Sequence, residues 1–198
     1  MAMGVTDRER AKADRHASLI KAAARLFAER GFTGVSLEEL GAAVGVSGPA
    51  VYRHFTNKQA LLAEILIGVS ERLLHGGREV VAQHDDAHPR LAALVDFHVD
   101  FALSDADVIR VQDRDLASLT PEQRSTVRDL QREYVAVWTD ALQRIHPDRS
   151  HDELRMRAHA CLGLINSTPH SVRAARGTAD ETRLHGILRD MAVASLTV

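Results

Sequence analysis

The chain has 198 residues, of which 45% are hydrophobic, 26% charged and 4% aromatic, with five prolines and one cysteine. That is long enough for one or two domains with a sizeable core. No apolar run reaches the ~20 residues of a bilayer-spanning helix, and a single cysteine excludes an intrachain disulfide. The net charge of −2 is unevenly spread: residues 1–60 hold nine Lys/Arg against six Asp/Glu, and the remainder sixteen against twenty-one. A basic first third on an acidic remainder predicts that only the first part meets a polyanion.

The opening stretch "MAMGVTDRERAKADRH" is charged and has no hydrophobic centre, so it does not read as a secretory signal. With the lone Cys161, the expected setting is the cytoplasm, with no membrane partner. A first helix is predicted over about 14–30, where Ile20, Ala23, Ala24 and Phe27 share one face and Gly31 supplies the stop. Ser36 followed by Glu39 is a capping box that opens a short helix with Leu37, Leu40 and Val44 on its apolar side, stopped by Gly45. Ser47 opens a third helix with Pro49 in its first turn, ending near Phe55. Asn57 caps a fourth, with Leu61, Leu62, Ile65, Leu66 and Val69 on one face, whose end is expected at Gly76 and Gly77.

After the polar break "AQHDDAHP", helix five is predicted over 89–104 with Leu91, Leu94, Val95, His98 and Phe101 on one face, and helix six over 105–119. Thr120, Pro121 and Gln123 open helix seven, striped by Val127, Leu130, Tyr134, Val137, Trp138, Ala141 and Ile145. Ser150 with Glu153 opens helix eight, and Thr178 with Glu181 opens helix nine. No stretch alternates apolar and polar residues with β-branched enrichment, so the fold class is all-α: a small N-terminal bundle and a larger helical domain, about nine helices in total.

Two short helices joined by "GVS" outline a helix-turn-helix, in which the second helix enters the major groove by its N-terminal end. Small residues there (Ser47, Gly48, Ala50) allow close approach. Tyr52 suits a phosphate contact, Arg53 a guanine or a phosphate, and Lys58 a phosphate; Val51 and Phe55 are assigned to the core. The spacing alone equally fits a plain helical hairpin with a few surface aromatics.

The stretch "LIKAAARLFAERGFTGVSLEELGAAVGVSGPAVYRHFTNKQALLAEIL" resembles the N-terminal domain of the TetR/AcrR family of transcriptional repressors. The matching elements are Phe27, Gly31–Phe32, Ser36, Leu40, Ala43-Val44-Gly45-Val46, Ser47, Val51-Tyr52-Arg53-His54-Phe55 and Lys58-Gln59-Ala60-Leu61-Leu62. Pro49 and Ala50 depart from the family's common "GTLY" and bear on base preference. The resemblance implies DNA contacts at Ser36, Ser47, Gly48, Ala50, Tyr52, Arg53, His54 and Lys58. It implies a helix-turn-helix domain over 1–60, whose residues 1–13 form a basic arm; Arg8, Arg10, Lys12 and the following Arg15 fit phosphate or minor-groove contacts and equally a solvated tail. It implies a ligand-binding and dimerisation domain over 61–198, a homodimer formed by the last two long helices, a palindromic double-stranded operator, and no cofactor.

In the C-terminal part, His98, Gln112, Tyr134, Trp138, His159, Asn166 and His170 fall on or beside apolar faces. Each is either a satisfied core or interface group or part of a pocket, apolar with a few convergent polar groups. The effector-binding set read from this pattern is His98, Phe101, Arg110, Arg114, Tyr134, Trp138, Asn166 and His170. Pro169 in "NSTPH" is expected to kink or end helix eight. Arg110 and Arg114 fit either ion pairs with Asp107, Asp113 and Asp115 or an acyl-thioester ligand. The histidines of "HDDAH", and His146 with His151, lack zinc spacing. Cys161 reads as a buried thiol, and there is no nucleophile elbow or phosphate loop, so no enzyme activity and no metal are expected. The resulting expectation is a repressor released from its operator by a small, largely apolar or acyl-thioester effector. The alternative is a helical small-molecule binding protein or enzyme that does not act on DNA.

Overall fold

The computed structural model describes residues 7–167 and 181–198, and all regular structure among them is helical. In chain order the helices are α1 (Asp7–Arg30), α2 (Leu37–Ala43), α3 (Gly48–Val51), α4 (Lys58–Ala82), α5 (Ala87–Ser104), α6 (Ala106–Asp115), α7 (Pro121–Gln143), α8 (His151–Asn166) and α9 (Glu181–Thr197), with a 3₁₀ turn at Leu116–Ser118. No described helix is long and apolar enough to cross a membrane.

The local signals act where they stand. Ser36 and Glu39 form a reciprocal capping box on α2, and Thr120 and Gln123 form another on α7. Asn57 accepts from the Ala60 amide, and Ser150 from the Glu153 amide. Gly31 and Gly45 take φ of +84° and +71°, left-handed values that L side chains rarely adopt, which is why α1 and α2 turn off at these points.

Four predicted boundaries move, and α3 is one of them, closing at Val51 and not near Phe55. Helix one starts at Asp7, seven residues ahead of the expected start, and helix six gives way to the 3₁₀ turn after Asp115. Helix α4 does not end at Gly76 and Gly77 but runs through them to Ala82. The reason is packing: a Cβ at Gly76 would lie 2.5 Å from the Phe97 ring, and one at Gly77 would lie 2.7 Å from the Tyr134 ring. The glycines let α5 and α7 press rings onto the α4 backbone, and the hydrogen bonds of a long helix outweigh their low propensity. The Thr178 cap and the Pro169 kink lie outside the described residues.

Two hydrophobic clusters organise the chain. The first joins α1–α3 to the front half of α4 through Leu19, Phe27, Leu40, Val51, Phe55, Leu62 and Leu66. Val108 and Val111 of α6, Leu119, and Val127 of α7 also belong to it, so the later helices close the N-terminal core. The second joins the rear of α4 to α5, α7, α8 and α9 around Leu94, Trp138, Leu142, Leu154 and Ile165. Helix α4 is thus one rigid rod with an end in each core.

Candidate nucleic-acid interface and effector cavity

Helix α3 is a single α-turn, and helical hydrogen bonds continue past it: the His54 amide donates to Val51 at 2.9 Å and the Phe55 amide to Val51 at 3.1 Å. This places Val51 and Phe55 in the core, both buried, and turns Ser47, Pro49, Tyr52 and Arg53 outward, all exposed. Tyr52 is 52% exposed although aromatic residues are scarce in the chain. Gly48 and Ala50 are half-buried on the same turn. The Ser47 hydroxyl makes no capping bond, so it is available to a ligand.

Three other expected contact residues already have local partners. The Ser36 hydroxyl accepts from the Glu39 amide, and the Ser36 amide donates to the Glu39 carboxylate, which holds that carboxyl below the usual range. Lys58 donates to the Val35 carbonyl at 2.8 Å and lies 4.6 Å from the Phe32 ring centroid. It ties the start of α4 to the α1–α2 turn, a role its sequence position does not reveal. His54 faces α1, with its ring 5.6 Å from His16, which stacks on Phe55 at 4.8 Å and pairs with Glu64. Partial burial, then His16, Lys12 and Arg15, lower the His54 pKa. In the arm, Arg10, Lys12 and Arg15 lie exposed on the first turns of α1, and the side chain of Arg8 lies outside the described residues.

The second feature is a cavity of about 250 Å3 between α4, α6, α7, α5 and α8, lined by Ser70, Leu73, His98, Gln112, Gln131, Tyr134, Val135, His159, Leu162, Gly163 and Asn166. His98 is its buried centre. Its Nδ1 lies 3.1 Å from the Tyr134 hydroxyl and its Nε2 lies 3.1 Å from Asn166 Oδ1. An Nε2–H donating to Asn166, with Nδ1 accepting from Tyr134, satisfies both ring nitrogens in the neutral form. Burial lowers the His98 pKa to about 4 against a smaller opposing effect of Asn166, and burial raises that of Tyr134. Both groups are therefore neutral at pH 7.

Of the effector-binding set read from the sequence, His98, Tyr134 and Asn166 come together in this cavity. Phe101 and Trp138 stand behind it, with ring centroids 5.7 and 5.8 Å from His98, and the Trp138 indole is buried. Arg110 is on α6 but outside the lining. Arg114 is elsewhere altogether: its guanidinium donates to the carbonyls of Phe27 and Ala28 at the end of α1 and pairs with the buried Asp115 at 3.0 Å. The carbonyls at a helix C-terminal end carry partial negative charge and attract a cation more strongly than an uncharged cavity does. His170 lies outside the described residues. Ser70, Leu73, Gln131 and Val135 carry no signal by pattern, and Leu162 and Gly163 read as dimer-face residues of helix eight, because each looks like an ordinary member of its helix until α4, α7 and α8 are packed together.

The profile "Bacterial regulatory proteins, tetR family" matches residues 19–65, and the profile "Tetracyclin repressor-like, C-terminal domain" matches residues 84–196, more than half the chain. The chain belongs to the tetR family. Among tetR-family relatives, the HTH-type transcriptional repressor KstR2 of Rhodococcus jostii is 29% identical over 133 residues, 67% of this chain and 65% of that repressor's length. A TetR-family transcriptional regulator from Bordetella parapertussis superposes with a TM-score of 0.78 at 25% identity, over 89% of this chain and 93% of that one. AibR, solved in complex with isovaleryl coenzyme A and operator DNA, shares the fold with a TM-score of 0.72 at 19% identity, over 89% of this chain and 97% of its own.

In this tetR-family chain one further surface stands out. Met156 on α8, Ile187 and Met191 on α9, and the terminal Val198 are exposed large hydrophobic residues. The small, exposed Ala160 and Gly163 lie on α8 as well. Cys161 of α8 is buried in the second core, and burial pushes its thiol up to about 11. Among the described residues no group of three or more His, Cys, Asp or Glu is placed to hold a metal ion.

Proposed function

We propose that this protein is a DNA-binding transcriptional repressor, acting as a homodimer in the cytoplasm and released from its operator by a small molecule, and that it is not an enzyme. The observation that carries this reading is the division of one short turn: Val51 and Phe55 are buried while Ser47, Tyr52 and Arg53 face solvent on a basic N-terminal segment. Residues 1–60 form the reading unit, residues 61–198 the effector and dimerisation unit, and α4 is shared between them. The outward residues of α3 enter the major groove. Ser47, Tyr52 and Arg53 make the principal contacts, with Gly48 and Ala50 allowing close approach. Ser36, His54 and Lys58 add phosphate contacts with the hydrogen-bonding capacity their local partners leave over.

The apolar residues of α8 and α9 form the two-fold interface, which sets two reading units on a palindrome. The effector occupies the His98 cavity. It is compact, with an apolar body and a few polar groups, an uncharged small molecule or the acyl end of a thioester. It touches α4 at Ser70 and Leu73 and α6 at Gln112. Both helices reach the reading unit: α4 is continuous from Lys58, and α6 grips α1 through Arg114. An effector that fits one setting of these helices better shifts the population away from the DNA-competent spacing.

Selection from a random duplex library by the full chain, followed by titration of the enriched duplex, tests this reading. A palindromic site bound by the wild type and weakened by Arg53→Ala is expected. Enrichment of no sequence overturns it.

A further inference from the structure

One residue packed against α3 has the wrong sign for DNA. Two glutamates begin α2. Glu39 is consumed by the Ser36 capping box and by Arg30, 2.8 Å away. Glu38 is exposed, and among the described residues no Lys, Arg or His lies within ion-pairing distance of it. Its side chain lies across the start of α3: a Cβ built on Gly48 would stand 3.3 Å from Glu38 Cγ and 4.0 Å from its Oε1. The same Oε1 is 3.5 Å from the Tyr52 hydroxyl, a long hydrogen bond from the middle of the proposed DNA face.

A carboxylate beside phosphates is repelled, and a carboxylate desolvated without a donor is costly. In the major groove it therefore needs a donor. Guanine presents N7 and O6, both acceptors, and thymine presents O4 and a methyl group. Adenine sets its N6 donor beside the N7 acceptor, whereas cytosine offers its N4 donor. We propose that Glu38 is a specificity-determining residue that accepts a hydrogen bond from cytosine N4 in each half-site. It rejects guanine and thymine by being left unpaired against them. Gly48 gives the carboxylate its room, because a Cβ there would press on Glu38 Cγ at 3.3 Å. Tyr52 holds Glu38 in the free protein and turns to the backbone phosphate on binding. This inference rests on the proposed DNA-binding reading.

The test is selection from a random duplex library by the full-length wild type, Glu38→Gln and Glu38→Ala, with circular dichroism and thermal midpoints as a check on folding. Glu38 is exposed and glutamine is isosteric, so at least that variant is expected to fold as the wild type does. The wild type should select cytosine at one position of each half-site by about five- to tenfold. Glu38→Ala should reduce that preference to less than about twofold at this position alone. Glu38→Gln should turn it towards adenine, whose N6 and N7 suit an amide. Superimposable base preferences in all three proteins, with affinity changed uniformly, overturn the assignment of Glu38 and leave the DNA-binding reading intact. Failure of the wild type to enrich any sequence overturns both.

Discussion

Arg114, in the last turn of α6, caps the C-terminal end of α1 by donating to the carbonyls of Phe27 and Ala28, 87 and 86 positions earlier in the chain. The same guanidinium neutralises the buried Asp115. One side chain thus closes a helix of the reading unit and fastens it to a helix that lines the cavity. Gln59 adds a second strap, donating from the start of α4 to the Ser118 carbonyl at 2.7 Å.

Removing that clasp should be felt in stability and in coupling. Arg114→Ala leaves two helix-end carbonyls and a buried carboxylate without their cation. Because Arg114 itself is about half exposed, the expected loss is moderate, about 1–2 kcal/mol by chemical denaturation. Arg114→Lys should recover only part of it, since an ammonium cannot reproduce the guanidinium fork. Equal stability of all three proteins would show that the clasp carries nothing.

The glycines of α4 make opposed predictions. Gly77→Ala drives a methyl into the buried Tyr134 ring, which is held by His98, and overpacking of this kind costs about 1–3 kcal/mol. Gly76→Ala meets the far end of the half-buried Phe97 ring, which can swing away, so its cost is smaller. Gly68→Ala meets nothing within 4 Å and should stabilise α4 by about 0.5–1 kcal/mol. The order of the three thermal midpoints is the readout: Gly68→Ala highest, Gly77→Ala lowest.

These glycines also mark where the sequence stops being legible. Caps and turns are local, and Ser36 with Glu39, Thr120 with Gln123, Gly31 and Gly45 act as their spacing predicts. So do Val51 and Phe55, whose burial follows from helical period alone. Gly76 and Gly77 read as a helix end because the rings that require them lie on α5 and α7. Arg114 read either as an ion-pair partner of the neighbouring aspartates or as a ligand group; it pairs with Asp115, and its partner carbonyls on α1 carry no signature in a sequence. His98, Tyr134 and Asn166 were visible as polar residues on apolar faces, but their convergence depends on how three helices dock. Lys58 read as a phosphate contact and Glu38 gave no signal at all; only the packing of α1–α3 shows that the first is tied to Val35 and that the second lies beside Tyr52.

His98 predicts a pH dependence. Its folded pKa of about 4 lies below the ordinary value of 6.5, so between these values the unfolded chain binds a proton that the folded chain does not. Stability should therefore fall as pH drops from about 6.5 towards 4, by up to about 3 kcal/mol from this group, with no contribution above pH 7. Denaturation of the wild type and His98→Gln at pH 7.5 and 4.5 measures it. The wild type should lose more stability on acidification than the variant, and an equal loss would contradict the neutral, buried assignment.

The exposed apolar residues of α8 and α9 predict an obligate partner. Ile187→Asp or Met191→Asp should convert a dimer into a monomer in light scattering, because each puts a charge on the exposed apolar face of α9. A wild type that is already monomeric at micromolar concentration would contradict the interface.

The central claim, that α3 reads DNA from its outward face, is tested most directly by the affinity of wild type, Tyr52→Phe and Arg53→Ala for the selected duplex at several salt concentrations. Neither substitution touches the core, so the melting temperatures should match. The account predicts that Arg53→Ala binds about tenfold or more weakly, and that Tyr52→Phe binds more weakly by a smaller factor. Affinities unchanged in both variants, with the wild type bound to the same duplex, would contradict it.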